Sequence, residues 1–316
     1  MTLLFRGDDA ADRAAAADLL RTGHLVAFPT ETVYGLGANA FDSEAVRRIF
    51  AAKRRPANHP LIVHIAALEQ VLPLVSVWPE IAQRLADAFW PGPLTLVLPR
   101  SARVPDATTG GIDSVAVRIP NHPIALELLR LAAVPVAAPS ANPHTRVSPT
   151  TAKHVLDGLG DRVDAVVDGG PCAVGIESTV LSLLGSTPHL LRPGGISRSQ
   201  IEAVIGPIDV APSEAILSPG QAPLHYSPTA KVQLVDPLAP NRPGGRITFG
   251  NTSSRTEGST RILTLPVDPE GYAAGLYAAL HTLDREFAEI AIDTPPETPP
   301  WDAVWDRLRR AAGPRK

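Results

Sequence analysis

The chain has 316 residues, 44% hydrophobic and 19% charged, with a formal net charge of −3 and a single cysteine. That length allows two domains with cores of their own, and no apolar run reaches 18 residues, so a membrane-spanning helix is not expected. The acidity argues against wholesale coating of nucleic acid, Cys172 alone excludes an intrachain disulfide or a multi-cysteine metal site, and the N-terminus lacks a signal-peptide core, so a cytoplasmic location is expected.

In chain order, Asp9–Arg21 is rich in Ala and Leu and ends at Gly23, which predicts a helix with a glycine stop. Leu25–Phe28 and Leu61–Ile65 are short apolar runs bounded by Pro29 and Pro60, and read as buried strands. Between them come a hydroxyl-rich turn (Thr30, Thr32, Tyr34, with Gly35 and Gly37), a helix capped by Asp42 or Ser43, and the cluster Lys53-Arg54-Arg55. Arg47 and Arg48 read as complements to the helix dipole. The cluster, followed at once by a turn and a strand carrying His64, reads as anion-binding, because guanidinium forks suit phosphate and carboxylate.

Leu68–Val75 and Pro79–Phe89 are predicted helical, Trp90-Pro91-Gly92-Pro93 a rigid turn with Trp90 as core anchor, and Leu94–Leu98 a strand. Val115–Ile119 is a strand whose only charge is Arg118. That guanidinium must meet an anion, either a core carboxylate or a ligand's, and few acidic residues lie near it in sequence. A helix runs from His122-Pro123 to Leu131. The apolar strand Val134–Ala138 enters Pro139-Ser140-Ala141-Asn142-Pro143 and then Ser148-Pro149-Thr150, with Thr150 capping a helix over Thr151–Leu156. Strand, hydroxyl/amide loop and helix is an order that binds phosphates at strand ends.

Ala165–Asp168 and Thr179–Leu184 are strands flanking GGPCAVGIES, where Cys172 reads as an inert buried thiol and Glu177-Ser178 precedes the second strand. His189–Leu191 leads to Arg192-Pro193-Gly194-Gly195, and Ser199–Ile205 is a short helix. Residues 207–229, rich in Pro, Ser and Ala, read as an interdomain linker. Beyond it Lys231–Val235, Arg246–Phe249, Arg261–Leu265 and Ile290–Ile292 read as strands, Tyr272–Phe287 and Ala303–Ala312 as helices, and Asn251–Thr260 as a mobile polar loop. The alternation defines an α/β protein, with domains expected at 1–206 and 230–316.

No P-loop, complete dinucleotide fingerprint, HExxH or GxSxG is present. What remains is a donor-rich set scattered over loops: Thr32, Lys53, Arg55, His64, Arg118, Ser140, Asn142, Ser178 and Arg192, with no carboxylate pair standing out. Such a set suits a triphosphate beside a small carboxylate, with catalysis by alignment and charge stabilisation. Composition and spacing stop there.

The blocks PTETVYGLGA (29–38), KRRPANHPLIVH (53–64), FWPGPLT (89–95), VAVRIPNHP (115–123), AAPSAN (137–142) with SPT (148–150), GIESTV (175–180), LRPGGI (191–196) and SPGQAPLHYSP (218–228) resemble, in order, those of the YrdC-like threonylcarbamoyl-AMP synthases. The long form, with a linker and a C-terminal α/β domain, is the nearer likeness. The resemblance implies a twisted mixed sheet with helices on both faces, plus a small Rossmann-like C-terminal domain. It implies synthesis of threonylcarbamoyl-AMP from L-threonine, bicarbonate and ATP, with pyrophosphate released and Mg²⁺ accompanying the ATP. No transition metal bound by the protein is expected. The product would pass to separate threonylcarbamoyl-transferase machinery that modifies tRNA beside the anticodon.

By motif, Thr32, His64, Arg118, Ala138 (through its backbone) and Ser178 would hold threonine. Lys53, Arg55, His59, Ser114, Ser140, Asn142, Ser148, Arg192 and Tyr226 would line the ATP side, with Lys53 and Arg55 on the phosphates as the catalytic cations. Gln221-Ala222-Pro223-Leu224 stands where the family's linker carries Lys, Tyr and Arg, so one basic contact of that linker is expected to be missing. A nucleic-acid-binding module is the alternative from a different class; it would need interleaved basic and aromatic surface residues, and aromatics are only 5% of the chain. A carbamoyl-transfer relative with cysteine-rich zinc motifs is disfavoured by the lone Cys172.

Overall fold

The structure, a computed structural model, describes residues 1–210 and 226–313. In order, the first part holds β1 (Leu3–Arg6), α1 (Ala10–Arg21), β2 (Val26–Phe28), β3 (Gly35–Asn39), α2 (Ser43–Lys53), β4 (Ile62–His64), α3 (Glu80–Phe89) and β5 (Leu94–Pro99). It continues with α4 (Asp106–Thr109), β6 (Ser114–Arg118), α5 (Pro123–Ala132), β7 (Val136–Ala137), α6 (Ala152–Leu159), β8 (Ala165–Asp168), β9 (Thr179–Ser182), β10 (His189–Arg192) and α7 (Arg198–Ile205). The second part holds β11 (Lys231–Val235), β12 (Gly244–Phe249), β13 (Ser253–Glu257), β14 (Thr260–Leu265), α8 (Pro269–Asp284), β15 (Glu289–Asp293) and α9 (Asp302–Ala311).

The first part forms a ten-stranded mixed sheet in the order β1-β8-β2-β3-β7-β4-β6-β5-β9-β10. Strand alternation explains its two covered faces. Val26 and Phe28 of β2 pack with Ala16, Leu20, Ala125 and Leu128 of α1 and α5. Ala27, between them, joins Val46 and Ile49 of α2 on the other face. The expected mixed sheet with helices on both faces is therefore what the chain builds. The second part forms a five-stranded sheet, β11-β15-β12-β14-β13, parallel except for β13. Ile247, Ile290 and Ile292 of that sheet share one apolar cluster with Leu276, Leu280, Val304 and Leu308 of α8 and α9, and with Val33, Val147 and Ile176 of the first part. The second core thus abuts the first domain.

Several local expectations need correction. Gly35 and Gly37 lie in a strand, not a turn; a Cβ at Gly37 would sit 2.8 Å from both Phe28 and Val136, so glycine is there for close packing. Only Leu68–Val71 of the predicted 68–75 helix forms, as a single 3₁₀ turn. The cap of α6 is Thr151, whose hydroxyl accepts from His154 N–H, and not Thr150. Arg48 does more than face a dipole: it reaches Asp164 at 2.7 Å and donates to Gly23 O. Ser253–Glu257, expected to be loop, is an exposed edge strand paired with β14, and its all-polar sequence carries no alternation to betray it. The linker reading and the Gln221–Leu224 departure fall mainly on residues 211–225, outside the described residues.

Candidate active site

Strand register brings the site together. Pairing of β4 with β6 sets His64 beside Arg118, and β7 lies against β4 so that Val63 faces Ala137. Past β7 the chain turns through Pro139 and Ser140, and Ser140 bridges to Gly35. At the end of α2, Arg54 takes the left-handed conformation (φ 52°), which turns its neighbours Lys53 and Arg55 inward, 2% and 8% exposed. The result is a cleft of about 600 Å³, counting its open mouth. Thr32, Lys53, Arg55, His64, Arg118, Ala138, Ser140, Asn142, Ser178, Arg192 and Tyr226 all line it.

Its cations are anchored largely by backbone and hydroxyl oxygens, and Arg118 also by a carboxylate. Lys53 Nζ donates to the carbonyls of Ser140 and Asn142. Burial, with Arg55 and Arg162 nearby, pushes its pKa well below the usual lysine value. Arg55 donates to Pro60 O at 3.1 Å, its Nε has no partner among the described residues, and burial lowers its pKa to about 10. Arg192 donates through Nε and Nη2 to Ser178 O and through Nη2 to Ser178 Oγ. Ser178 Oγ also meets Thr95 Oγ1 at 2.8 Å. His64 is held neutral, its pKa lowered to about 3 by burial and then by Arg118, and its Nδ1 has no partner among the described residues.

Of the two anions left open for it, Arg118 meets the core carboxylate, that of Glu31. Its Nη2 lies 2.6 Å from Glu31 Oε1, while Nη1 donates to Thr32 Oγ1 at 2.9 Å and Nε to Gly92 O at 3.1 Å. Glu31 is 87 residues away in sequence, and only the sheet brings the two together. Among the described residues neither Glu31 oxygen has an aligned hydrogen-bond donor, and that Nη2 has no aligned acceptor. Glu177 is the carboxylate that lines the cleft, bound by Ser148 Oγ (2.5 Å), Arg307 Nε (2.9 Å) and Tyr277 OH (3.0 Å).

Three expected residues do not line the cleft. Ser148 is fully buried and spends its hydroxyl on Glu177. Ser114, buried at the start of β6, has no partner for its hydroxyl among the described residues. His59 stands one layer out, edge-on to His144 with ring centres 5.6 Å apart, and His144 does line the cleft. Tyr34 turns away, donating to Gly170 O at 2.8 Å. Cys172 is buried, with its thiol pushed up to about 12 by burial, as an inert cysteine should be. Glu31 could have been suspected from its place between Thr30 and Thr32; nothing in the sequence marks Arg307.

A cleft with four cationic side chains, whose lining carboxylate Glu177 is held by Ser148, Tyr277 and Arg307, fits an α/β enzyme for a small polyanionic substrate. The family model Sua5_yciO_yrdC, described as telomere recombination, matches residues 18–194, and Sua5_C, the threonylcarbamoyl-AMP synthase C-terminal domain, matches residues 196–313. The threonylcarbamoyl-AMP synthase of Pyrococcus abyssi is 44% identical over 95% of this chain and 94% of its own length. That of Bacillus subtilis is 44% identical over 96% and 93%. The crystal structure of P. abyssi Sua5 complexed with L-threonine superposes with a TM-score of 0.90 at 40% identity, over 99% of this chain and 97% of that one. The chain belongs to the threonylcarbamoyl-AMP synthase family, in its two-domain form.

Proposed function

We propose that this protein joins L-threonine, bicarbonate and ATP into threonylcarbamoyl-AMP and releases pyrophosphate. The observation that carries the reading is convergence: Lys53, Arg118, Ser140 and Arg192, far apart in sequence, line one cleft. Arg118 is the partner for the threonine carboxylate, with Thr32, His64, the Ala138 backbone and Ser178 around the rest of that substrate. Neutral His64 can accept a hydrogen bond from the amino acid without adding charge. Lys53 and Arg55 face the phosphates, where an arriving triphosphate offsets the desolvation that now depresses both pKa values. Ser140, Asn142, Arg192 and Tyr226 complete the nucleotide side, with His59, Ser114 and Ser148 behind them.

Bicarbonate takes up a proton and loses its hydroxyl as water to give CO₂; the threonine amine adds to that carbon and loses a proton, giving a carbamate. A carbamate oxygen then attacks the α-phosphorus, and the bond to the bridging oxygen breaks with pyrophosphate leaving. Cations fixed before the reaction stabilise the charge that moves onto that leaving group. Among the described residues no group of three or more His, Cys, Asp or Glu could cage a metal. Mg²⁺ fits as part of the ATP substrate, carried on its phosphates. The product suits a separate transferase that builds threonylcarbamoyladenosine in tRNA, in the cytoplasm; no described helix is long and apolar enough to cross a membrane.

The test is pyrophosphate release from ATP, which should require threonine and bicarbonate together. Equal release without threonine overturns the reading.

A further inference from the structure

The wall of the cleft nearest the second domain is held from outside the first domain. Two of the three donors on Glu177 come from α8 and α9: Tyr277 OH and Arg307 Nε. Arg307 is a fully buried cation that touches this wall at several points. Besides the Glu177 carboxylate it donates to Pro193 O at 2.8 Å and to Glu177 O at 3.3 Å, and its guanidinium carbon lies 5.3 Å from the centre of the Tyr226 ring. It therefore grips the turn before Ser178, the turn after Arg192, and Tyr226 itself.

Two glycines show that this contact is built for closeness. Gly175 (φ +74°) opens the Glu177 turn, and a Cβ there would lie 2.5 Å from Ala274 Cα of α8. A Cβ at Gly194 would lie 2.3 Å from Thr179 N and 2.5 Å from Glu177 O. The two turns thus stack backbone to backbone, with the second domain pressed against the first of them.

We propose that Arg307 is a positioning residue for the nucleotide side of the cleft, so that the C-terminal domain is a working part of the active site. The proposal rests on the synthase reading for its kinetic consequences, but not for its geometry. Arg307 also has an electrostatic task. Arg307, which also pairs with Asp306 at 2.8 Å, offsets part of the negative charge that Glu177 would otherwise present to an incoming triphosphate. One carboxylate oxygen is bound by Arg307 and Tyr277 and the other by Ser148.

The test uses the full chain in two variants, Arg307→Lys, which keeps the charge but not the fork, and Tyr277→Phe, which keeps the ring. Three quantities are compared with the parent: the melting temperature, kcat and KM for ATP in pyrophosphate release, and amide hydrogen exchange at residues 175–179 and 194–195. Positioning predicts a rise in KM for ATP of roughly 10-fold or more for Arg307→Lys and about 2- to 5-fold for Tyr277→Phe, with kcat little changed. Exchange at those amides should be faster in both. A purely structural role lowers the amount of active enzyme at unchanged KM, and folded variants with parental KM and parental exchange overturn the proposal. If the parent shows no threonine-dependent turnover, the synthase reading falls and the exchange arm still decides the clamp.

Discussion

Two buried arginine–carboxylate pairs, one in each domain, look alike in a list of ion pairs and differ in what they leave open. Arg246 and Asp293 lie 2.7 Å apart in the C-terminal sheet, and each of the three guanidinium nitrogens of Arg246 donates a hydrogen bond, to Asp293, Ala239 O, Asn241 Oδ1 or Pro237 O. That arginine ties the loop after β11 to the sheet. Arg118 and Glu31 are as deeply buried, at 3% and 8% side-chain exposure, yet Nη2 and both carboxylate oxygens lack aligned partners among the described residues. A buried pair left this loosely satisfied is costly, and a ligand that brings an acceptor to Arg118 and a donor such as an ammonium to Glu31 would relieve it. The difference supports the proposed role of Arg118 toward the threonine carboxylate and a role for Arg246 within the sheet.

The sharpest way to break the comparison is to delete each arginine. Arg118→Ala should lower kcat/KM for threonine on the order of 10²–10³-fold, the usual cost of removing one partner of a buried charge pair, while ATP binding is largely retained. Pyrophosphate release against threonine concentration, with calorimetric ATP binding alongside, measures both. Loss of ATP binding with threonine binding intact would reverse the assigned roles. Arg246→Met should do the opposite, destabilising the protein by about 3–5 kcal/mol in urea unfolding because Asp293 is left buried and unpaired. Turnover per folded molecule should stay at the parental level; a selective rise in threonine KM would show that Arg246 is not merely structural.

Acid should also separate the two regions. His64 has a folded pKa of about 3 against about 6.5 unfolded, because burial, then Arg118, disfavours its charged form. Below pH 6.5 the unfolded chain binds the proton more readily, so this stability is present above that pH and is lost as pH falls toward 3. His154, stacked 3.9 Å from His281 across the contact between α6 and α8, also has a pKa of about 3, chiefly through burial and then through His281. Urea midpoints should fall from pH 6.5 to 4 with a slope of up to roughly 1.4 kcal/mol per pH unit for His64 alone. A flat profile over that range means the rings are already charged in the folded protein.

The pocket's donors were legible in the sequence because they sit beside glycine- and proline-marked turns, at the ends of apolar strands for Arg118, Ser140 and Arg192 and at the end of a helix for Lys53. The larger elements were legible too: apolar periodicity marks α8 and β5 within a few residues of their observed ends. What the sequence could not show is which acids meet those cations. Glu31 and Arg118 are joined only through the sheet, and Arg307 meets Glu177 across 130 residues by domain contact. Short strands such as Val136–Ala137, and the polar edge strand β13, carry too little pattern to be bounded from residues alone.

The smallest effect is expected where an ion pair is neither buried nor near the cleft. Arg285 of α8 pairs with Asp157 of α6 across the domain contact, with both side chains about half in water, 47% and 41% exposed. Water screens such a pair and two side chains must be ordered to make it, so Asp157→Asn should cost about 0–1 kcal/mol, and less at high salt. Thermal unfolding at low and high ionic strength, together with KM for ATP, reads the outcome. If the two domains were held mainly by surface charge, this substitution would raise KM as much as Arg307→Lys does. Because Glu177, Tyr277 and Arg307 are buried and mutually hydrogen-bonded, the domain contact should instead survive Asp157→Asn with ATP kinetics unchanged.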